Sequence, residues 1–245
     1  MKCLRCGAEV SDSKNKCPYC GSMFDIKKEM PTVAINPSYE EENYTADVYE
    51  KNINGCLFIS TCSGLGSGLL VNLDGYGITN HHVVGNNKTV KVSIVDEIVD
   101  ADVIAVADSA NYGGLGEDLA IIKLRRVPFK AIALKLGDSD RLKIGESVCV
   151  IGNSEGKGLC ITRGIVSDKR QDELGKERIM TDAATNPGNS GGPYFDKDGK
   201  VVAVHVSGDG EFINGINMKI KYQGMNFGIP VNHAKFFLRK KGIKV

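Results

Sequence analysis

The sequence predicts an all-β fold, and three observations carry that expectation. From about residue 47 onward, short apolar runs of strand length recur, glycine-rich turns separate them, and Asp-Gly pairs at 74–75 and 198–199 fall between such runs. Many short strands joined by such turns make a sandwich or a barrel, and the pattern alone leaves both open.

The elements follow in chain order. Residues 1–24 are rich in Cys, Gly and Lys and poor in large apolar groups, so they need a staple to fold. Residues 25–46 hold Pro31, Pro37 and the acidic run Glu40-Glu41-Glu42 without a sustained period, and read as a linker to a domain at 47–245. In that domain Cys56–Ile59 and Gly68–Val71 are apolar, and Val90-Lys91-Val92-Ser93-Ile94-Val95 alternates at the period of a half-buried strand. Further runs cover Asp102–Val106, Leu119–Leu124, Ser147–Ile151, Gly158–Thr162, Gly164–Ser167, Val201–Val206 and Met225–Ile229. Asp-Gly between runs signals a hairpin, because both residues accept the positive φ that tight β-turns need. The tail Val231–Lys240 places Ala234, Phe237 and Leu238 at helical spacing.

Composition excludes several classes. Among 245 residues, 31 Lys and Arg balance 30 Asp and Glu, so no nucleic-acid partner is implied. The short basic end Arg239-Lys240-Lys241 reads as a solvated helix terminus. No apolar run reaches the roughly 18–20 residues that span a bilayer, and the first residues lack a hydrophobic leader, so no membrane association is expected. Together with the cysteine usage, this predicts a cytoplasmic protein. Cys56, Cys62, Cys149 and Cys160 are scattered, mostly among apolar neighbours, and read as small buried hydrophobes.

The other four cysteines are paired. Cys3-x-x-Cys6-Gly7 and Cys17-Pro18-Tyr19-Cys20-Gly21 are matching knuckles, in which a two-residue spacer lets both thiolates turn toward one ion. Four thiolates make a closed tetrahedral structural site for Zn2+, with no open position for chemistry. Redox pairs or two disulfides are the alternatives. The module resembles short N-terminal zinc ribbons, which implies a possible protein partner.

The most informative stretch is Asn186-Pro187-Gly188-Asn189-Ser190-Gly191-Gly192-Pro193. A nucleophilic serine must sit on a sharp turn with backbone amides facing the same way as its hydroxyl, and glycines permit that turn and the approach of substrate. Thr79-Asn80-His81-His82-Val83-Val84 adds a histidine at the end of an apolar strand, and Glu117-Asp118-Leu119-Ala120 an acid entering one. The order His, Asp, Ser is that of chymotrypsin and differs from subtilisin and the α/β-hydrolases.

Across about residues 55–240 the chain resembles the trypsin-like peptidases of the HtrA/Deg type. The matching segments include Gly66-Ser67-Gly68, Leu73–Val84, Asp118-Leu119-Ala120, Ile151-Gly152-Asn153, Gly164–Ser167, Thr181–Pro193 and Phe227-Gly228-Ile229-Pro230. The resemblance implies two six-stranded β-barrels of the chymotrypsin/trypsin type with a C-terminal helix. It implies a serine endopeptidase acting on proteins or peptides, with His82 as base, Asp118 as orienter and Ser190 as nucleophile. The amides of Gly188 and Ser190 would line an oxyanion hole, with Asn189 shaping the turn. His81 is then a neighbour, and no cofactor enters the chemistry. Ala184, His205 and Val206 are candidates to border the substrate pocket, although His205 also reads as a packed side chain. The chain departs from the family at Ser154, where proline is common, and with Val245 just beyond the terminal helix the usual PDZ domain is not expected. A catalytically latent, protease-shaped adaptor using the ribbon for contacts is the alternative function.

Overall fold

The computed structural model describes residues 2–3, 5–10, 16–23, 39–62, 64–107, 117–172, 174–212 and 219–245. The chain divides into two compact units, Met1–Ser38 and Tyr39–Val245.

In the first unit the two knuckles repeat one backbone pattern. The amides of Gly7 and Gly21, both at φ +73°, donate to the carbonyls of Cys3 and Cys17 at 2.8 and 3.0 Å. The amides of Cys3 and Cys17 donate to Ala8 and Ser22 at 2.9 and 2.8 Å, and the bridges Lys2–Glu9 and Lys16–Met23 close each turn. Buried Cys3, Val10 and Cys17 form its small core.

The second unit opens with helix α1 (Tyr39–Asn52), followed by strands β1 (Cys56–Thr61), β2 (Gly64–Leu70) and β3 (Tyr76–Thr79). The short helix α2 (His81–Val84) leads to β4 (Thr89–Ile94), β5 (Glu97–Val106) and β6 (Ala120–Leu124). Then come β7 (Ser147–Gly152), β8 (Cys160–Gln171), β9 (Glu177–Thr181), β10 (Pro193–Phe195), β11 (Val201–Phe212), β12 (Lys219–Pro230) and helix α3 (Val231–Lys240). All strand pairs are antiparallel and close two six-stranded barrels, ordered β1-β2-β3-β6-β5-β4 and β10-β11-β12-β9-β8-β7. Closure pairs β1 with β4 in the first barrel and β10 with β7 in the second.

Alternation along the strands fills each barrel. Leu57, Ile59, Leu70, Val92 and Ile122 lie in the first interior, and Val148, Val150, Val166, Ile179 and Tyr194 in the second. The opposite faces of some strands form a third, shared cluster with Leu69, Ile78 and Leu119 from one barrel and Cys149, Ile151, Phe195 and Val204 from the other. Helix α3 seals it with Val231, Ala234, Phe237 and Leu238. Arg239 and Lys240 occupy its last turn, where cations oppose the helix dipole. Gly242, at φ +74°, then turns the chain so that the Ile243 amide meets the Leu238 carbonyl at 3.0 Å.

The expected all-β class and terminal helix are borne out, with differences in detail. Helix α1 begins inside the segment expected to be a linker, because few of its positions are apolar and its signal is one of charge placement at Glu40–Glu42. It docks through half-buried Tyr44 and Tyr49 and buried Val48. The two runs expected at 158–162 and 164–167 are one strand, β8, continued through Gly164. Strands β3, β9 and β10 have four, five and three residues, too few to establish a period. All four barrel cysteines are free thiols; Cys56 and Cys149 are buried, and burial pushes both thiols up. Among the described residues no helix is long and apolar enough to cross a membrane.

The β4–β5 hairpin turns on Val95 and Asp96, at φ 50° and 60°. Two positive φ values define a turn suited to Asn-Gly, and a β-branched residue is strained there. Replacing the pair by Asn-Gly should stabilise the domain by about 1–2 kcal/mol, or raise Tm by roughly 2–6 °C. Thermal unfolding of V95N/D96G checks this, and an unchanged or lower Tm counts against strain at the turn.

Candidate active site

His82 stands in the first turn of α2, just past the end of β3. Asp118 enters β6, the neighbour of β3 in the first barrel, where Thr79 pairs with Ala120. Antiparallel register therefore brings the two side chains together although 36 residues separate them. The Asp118 carboxylate takes both its partners from His82. Oδ2 lies 2.5 Å from His82 Nδ1, and Oδ1 accepts the His82 backbone N–H at 2.9 Å. Asn80 Nδ2 donates to the Asp118 carbonyl at 2.8 Å and fixes the backbone as well. Burial pushes the Asp118 carboxyl up, but the hydrogen bond and charge of His82 outweigh it and hold the group below its ordinary value. An ionised carboxylate only accepts, so His82 Nδ1 carries a proton and Nε2 is left to face solvent or substrate.

Ser190 lies on the loop before β10, in the second barrel. Gly191, at φ +87°, packs against the first barrel. A Cβ there would lie 2.2 Å from the Ser67 carbonyl and 3.1 Å from the Asn80 amide, so only glycine permits the approach. That contact sets Ser190 beside the segment leading into His82. The half-buried Ser190 hydroxyl donates to the Val206 carbonyl at 3.4 Å, and among the described residues no hydrogen bond joins it to His82.

The loop is fixed by its carbonyls. Pro187 O accepts from the Glu155 amide at 2.7 Å, Gly188 O from Ser67 Oγ at 2.7 Å, Asn189 O from the Gly192 amide at 2.9 Å, and Ser190 O from the Ser67 amide at 2.7 Å. The Asn189 amide closes the turn on Asn186 O at 3.1 Å, and its side chain accepts from Ser154 Oγ at 3.0 Å. Among the described residues the amides of Gly188 and Ser190 donate to nothing. The amide of the serine and that of the residue two before it are thus open to an acceptor from outside the loop.

Of the pocket candidates, Ala184 is exposed and gives its carbonyl to Thr162 Oγ1 at 2.8 Å, and half-buried Val206 gives its carbonyl to Ser190. His205 is corrected to a packed residue. Its ring is 3% exposed, stacked on Tyr194 with Nδ1 2.8 Å from the phenol, because its turn in the strand alternation points into the second barrel.

Beneath Asp118 lies a charge cluster that the sequence did not reveal. Glu117, 4% exposed, meets Arg178 of β9 at 3.0 Å and His233 of α3 at 3.1 Å. Arg178 also reaches Asp172 at 3.0 Å, and His233 reaches Glu177 at 3.2 Å. The residue next to the acid is thereby tied to the second barrel and the terminal helix. The partners are scattered along the chain, so no local pattern announces them.

In the first unit, Cys3, Cys6, Cys17 and Cys20 bring their sulfurs within 4.8 Å of one another and could bind a metal. Cys3 and Cys20 sulfurs are 3.6 Å apart and Cys6 and Cys17 sulfurs 3.7 Å. Thiolates 2.3 Å from a tetrahedral zinc ion sit roughly 3.8 Å apart, so the donor set fits that ion. Ser22 Oγ lies 3.4 and 3.0 Å from the Cys3 and Cys20 sulfurs, where a hydroxyl would support thiolate ligands.

A family model described as a trypsin-like peptidase domain matches residues 66–204, over half of the chain. The chain belongs to this family. This trypsin-like domain is 37% identical over 180 residues to a probable periplasmic serine endoprotease DegP-like of Chlamydia muridarum, covering 69% of the chain and 32% of that protein. It is 32% identical over 189 residues to the magnetosome formation protease MamE of Paramagnetospirillum magneticum, covering 71% of the chain and 23% of that protein. The chain thus spans a third or less of the length of these curated relatives. A solved structure of the HtrA-type protease AlgW with tripeptide matches 80% of the chain and 62% of its own, with TM-score 0.65 and 29% identity. The relatives and neighbours support an HtrA-type trypsin-like protease.

They also correct the expected compartment. DegP-like relatives from Chlamydia and Pseudomonas are named periplasmic, which overturns the cytoplasmic expectation. That expectation rested on the cysteine usage and the first residues, and buried thiols such as Cys56 and Cys149 do not report the redox state outside them.

His233 faces Glu117 and Glu177, with Arg178 beside them on Glu117. The Glu117 hydrogen bond, opposed by burial and helped by both carboxylate charges, raises His233 above the ordinary imidazole value. A raised folded value stabilises the fold below the free imidazole value, and the contribution is lost as pH rises through the raised one. His233→Gln should therefore lower Tm at about pH 5.5, below the free value, and the deficit against wild type should shrink toward about pH 9. A deficit constant across that range in thermal melts would contradict the charge interaction.

Proposed function

We propose that this chain is a serine endopeptidase that hydrolyses peptide bonds in protein substrates through an acyl-enzyme. The observation that carries this reading is the pairing of His82 with an ionised Asp118 on one side of a cleft and, on the other, a serine flanked by two unpaired amides. Ser190 Oγ turns from the Val206 carbonyl toward His82 Nε2 and attacks the scissile carbonyl. His82 takes the hydroxyl proton and then gives it to the leaving amine, so the serine gains an acyl group as the peptide bond breaks. Asp118 holds the imidazole tautomer and stabilises the imidazolium. The Gly188 and Ser190 amides bind the oxyanion, with Asn189 holding the turn between them. Water, activated by the same imidazole, releases the acyl group. The substrate lies extended, as an added strand, near Ala184 and Val206. The AlgW structure named with a tripeptide supports a peptide substrate.

One observation favours a second reading, a latent protease-shaped binding protein that uses its N-terminal module for contacts: the Ser190 hydroxyl is engaged by Val206 rather than His82. A fluorophosphonate probe separates the two. Labelling of wild type at Ser190, with peptide hydrolysis reduced by about 10³-fold or more in Ser190→Ala, supports the peptidase. No labelling together with retained peptide binding supports the latent protein.

The module 1–24 would hold Zn2+ through Cys3, Cys6, Cys17 and Cys20, and the ion would supply folding free energy there, on the order of 10 kcal/mol. Four protein ligands leave no position for substrate, so the ion takes no part in hydrolysis. Cys3→Ala should release one equivalent of zinc, measured by metal analysis, while cleavage of a small peptide stays within about twofold. Loss of both would show that the domain depends on the ribbon.

A further inference from the structure

We propose that Ser67 is a positioning residue for the oxyanion hole, a brace from the first barrel that holds the nucleophile loop of the second. The inference rests on the reading of Ser190 as nucleophile and of the Gly188 and Ser190 amides as oxyanion donors.

Ser67 lies in β2, fully buried, and its hydroxyl and amide bond across to the second barrel. Its hydroxyl has one proton, and the Asn153 amide donates to it at 2.9 Å, so the proton goes to Gly188 O at 2.7 Å. Its amide donates to Ser190 O at 2.7 Å, and its carbonyl accepts Thr79 Oγ1 at 2.7 Å, next to Asn80 and His82. One side chain and its own peptide groups thus touch both residues of the hole.

These bonds hold the peptide planes next to the donor amides, those that join Gly188 to Asn189 and Ser190 to Gly191. Peptide groups are planar, and none in the described chain is cis, so each N–H lies opposite its carbonyl. Glu155 holds the Pro187 carbonyl, which turns the Gly188 N–H the other way. Ser67 Oγ holds the next carbonyl, that of Gly188, at φ +98°. With two successive peptide planes pinned, the Gly188 N–H cannot rotate out of the cleft without breaking a buried bond. A buried carbonyl left without a donor is costly, and the loop would relieve that cost by rotating a peptide. The bracing spans 121 residues, so it also makes the hole depend on the two barrels being assembled.

Ser67→Ala removes the donor and keeps the volume close. Steady-state cleavage of a peptide substrate should show kcat lower by about 10–100-fold, the cost of a donor displaced by about 1 Å, with KM within about threefold. A peptide aldehyde, whose hemiacetal oxygen occupies the hole, should lose affinity by at least about tenfold, while a product peptide that lacks a tetrahedral centre binds as before. Ser67→Thr, which keeps the hydroxyl, should restore most of kcat. A purely structural role would lower kcat and both affinities together, or none. If the Ala variant does not fold, as judged by near-ultraviolet circular dichroism, Ser67→Cys replaces it, a weak donor expected to lose kcat and aldehyde affinity in the same ratio. Unchanged kcat and aldehyde affinity in a folded variant would overturn the proposal while wild-type labelling at Ser190 still stood. Absent labelling of wild type would instead remove the reading beneath it.

Discussion

A single buried serine in the first barrel joins it to the second through hydrogen bonds with Gly188, Asn153 and Ser190. Ser67 spends its hydroxyl, its amide and its carbonyl on partners outside its own strand ladder. Each barrel could close by itself, because closure needs only strands of its own. What neither barrel supplies alone is the geometry at the seam, where Gly191 beside Ser190 packs on Ser67 and Asn80 of the other barrel. Nonpolar contact in the shared core brings the barrels together without direction. Hydrogen bonds at Ser67 add the direction, and because the site is buried they have no water to exchange with.

The acid side of the cleft is held in a comparable way. Glu117 and Arg178 are both nearly inaccessible, and a buried pair of this kind gains little net stability over apolar packing. Losing one partner is another matter, costing about 3–5 kcal/mol, because the remaining charge stays buried. Such a pair is poor glue and a strict constraint. It fixes the residue beside Asp118 to β9 and α3, so the carboxylate that orients His82 is anchored from behind as well as through Asn80. Both constraints act across the barrel seam, one on each side of the cleft.

The two units obtain stability from different sources. The barrel unit buries three clusters of apolar side chains. Among the described residues of the first unit the core is Cys3, Val10 and Cys17, and small modules of this kind depend on a staple. Its repeated knuckle, with a glycine at positive φ after each cysteine pair, turns backbone toward the sulfurs in the same manner twice.

Residues 82, 118 and 190 could be singled out in the sequence because each sits in a short segment whose chemistry is local: a histidine ending a strand, an acid starting one, a serine among glycines. The paired cysteines and helix α3 were legible for the same reason, since spacing along the chain is their signal. The sequence also determined that the chain is all-β, through alternation and Asp-Gly turns. Barrel closure rested on family likeness until strand pairing showed it. Tertiary structure alone decided that His205 is packed on Tyr194, that Ser67 braces Gly188, and that Glu117, Arg178 and His233 form one cluster. Those facts depend on contacts between residues far apart along the chain, where side-chain type says what a group can bond but folding chooses which partner it meets.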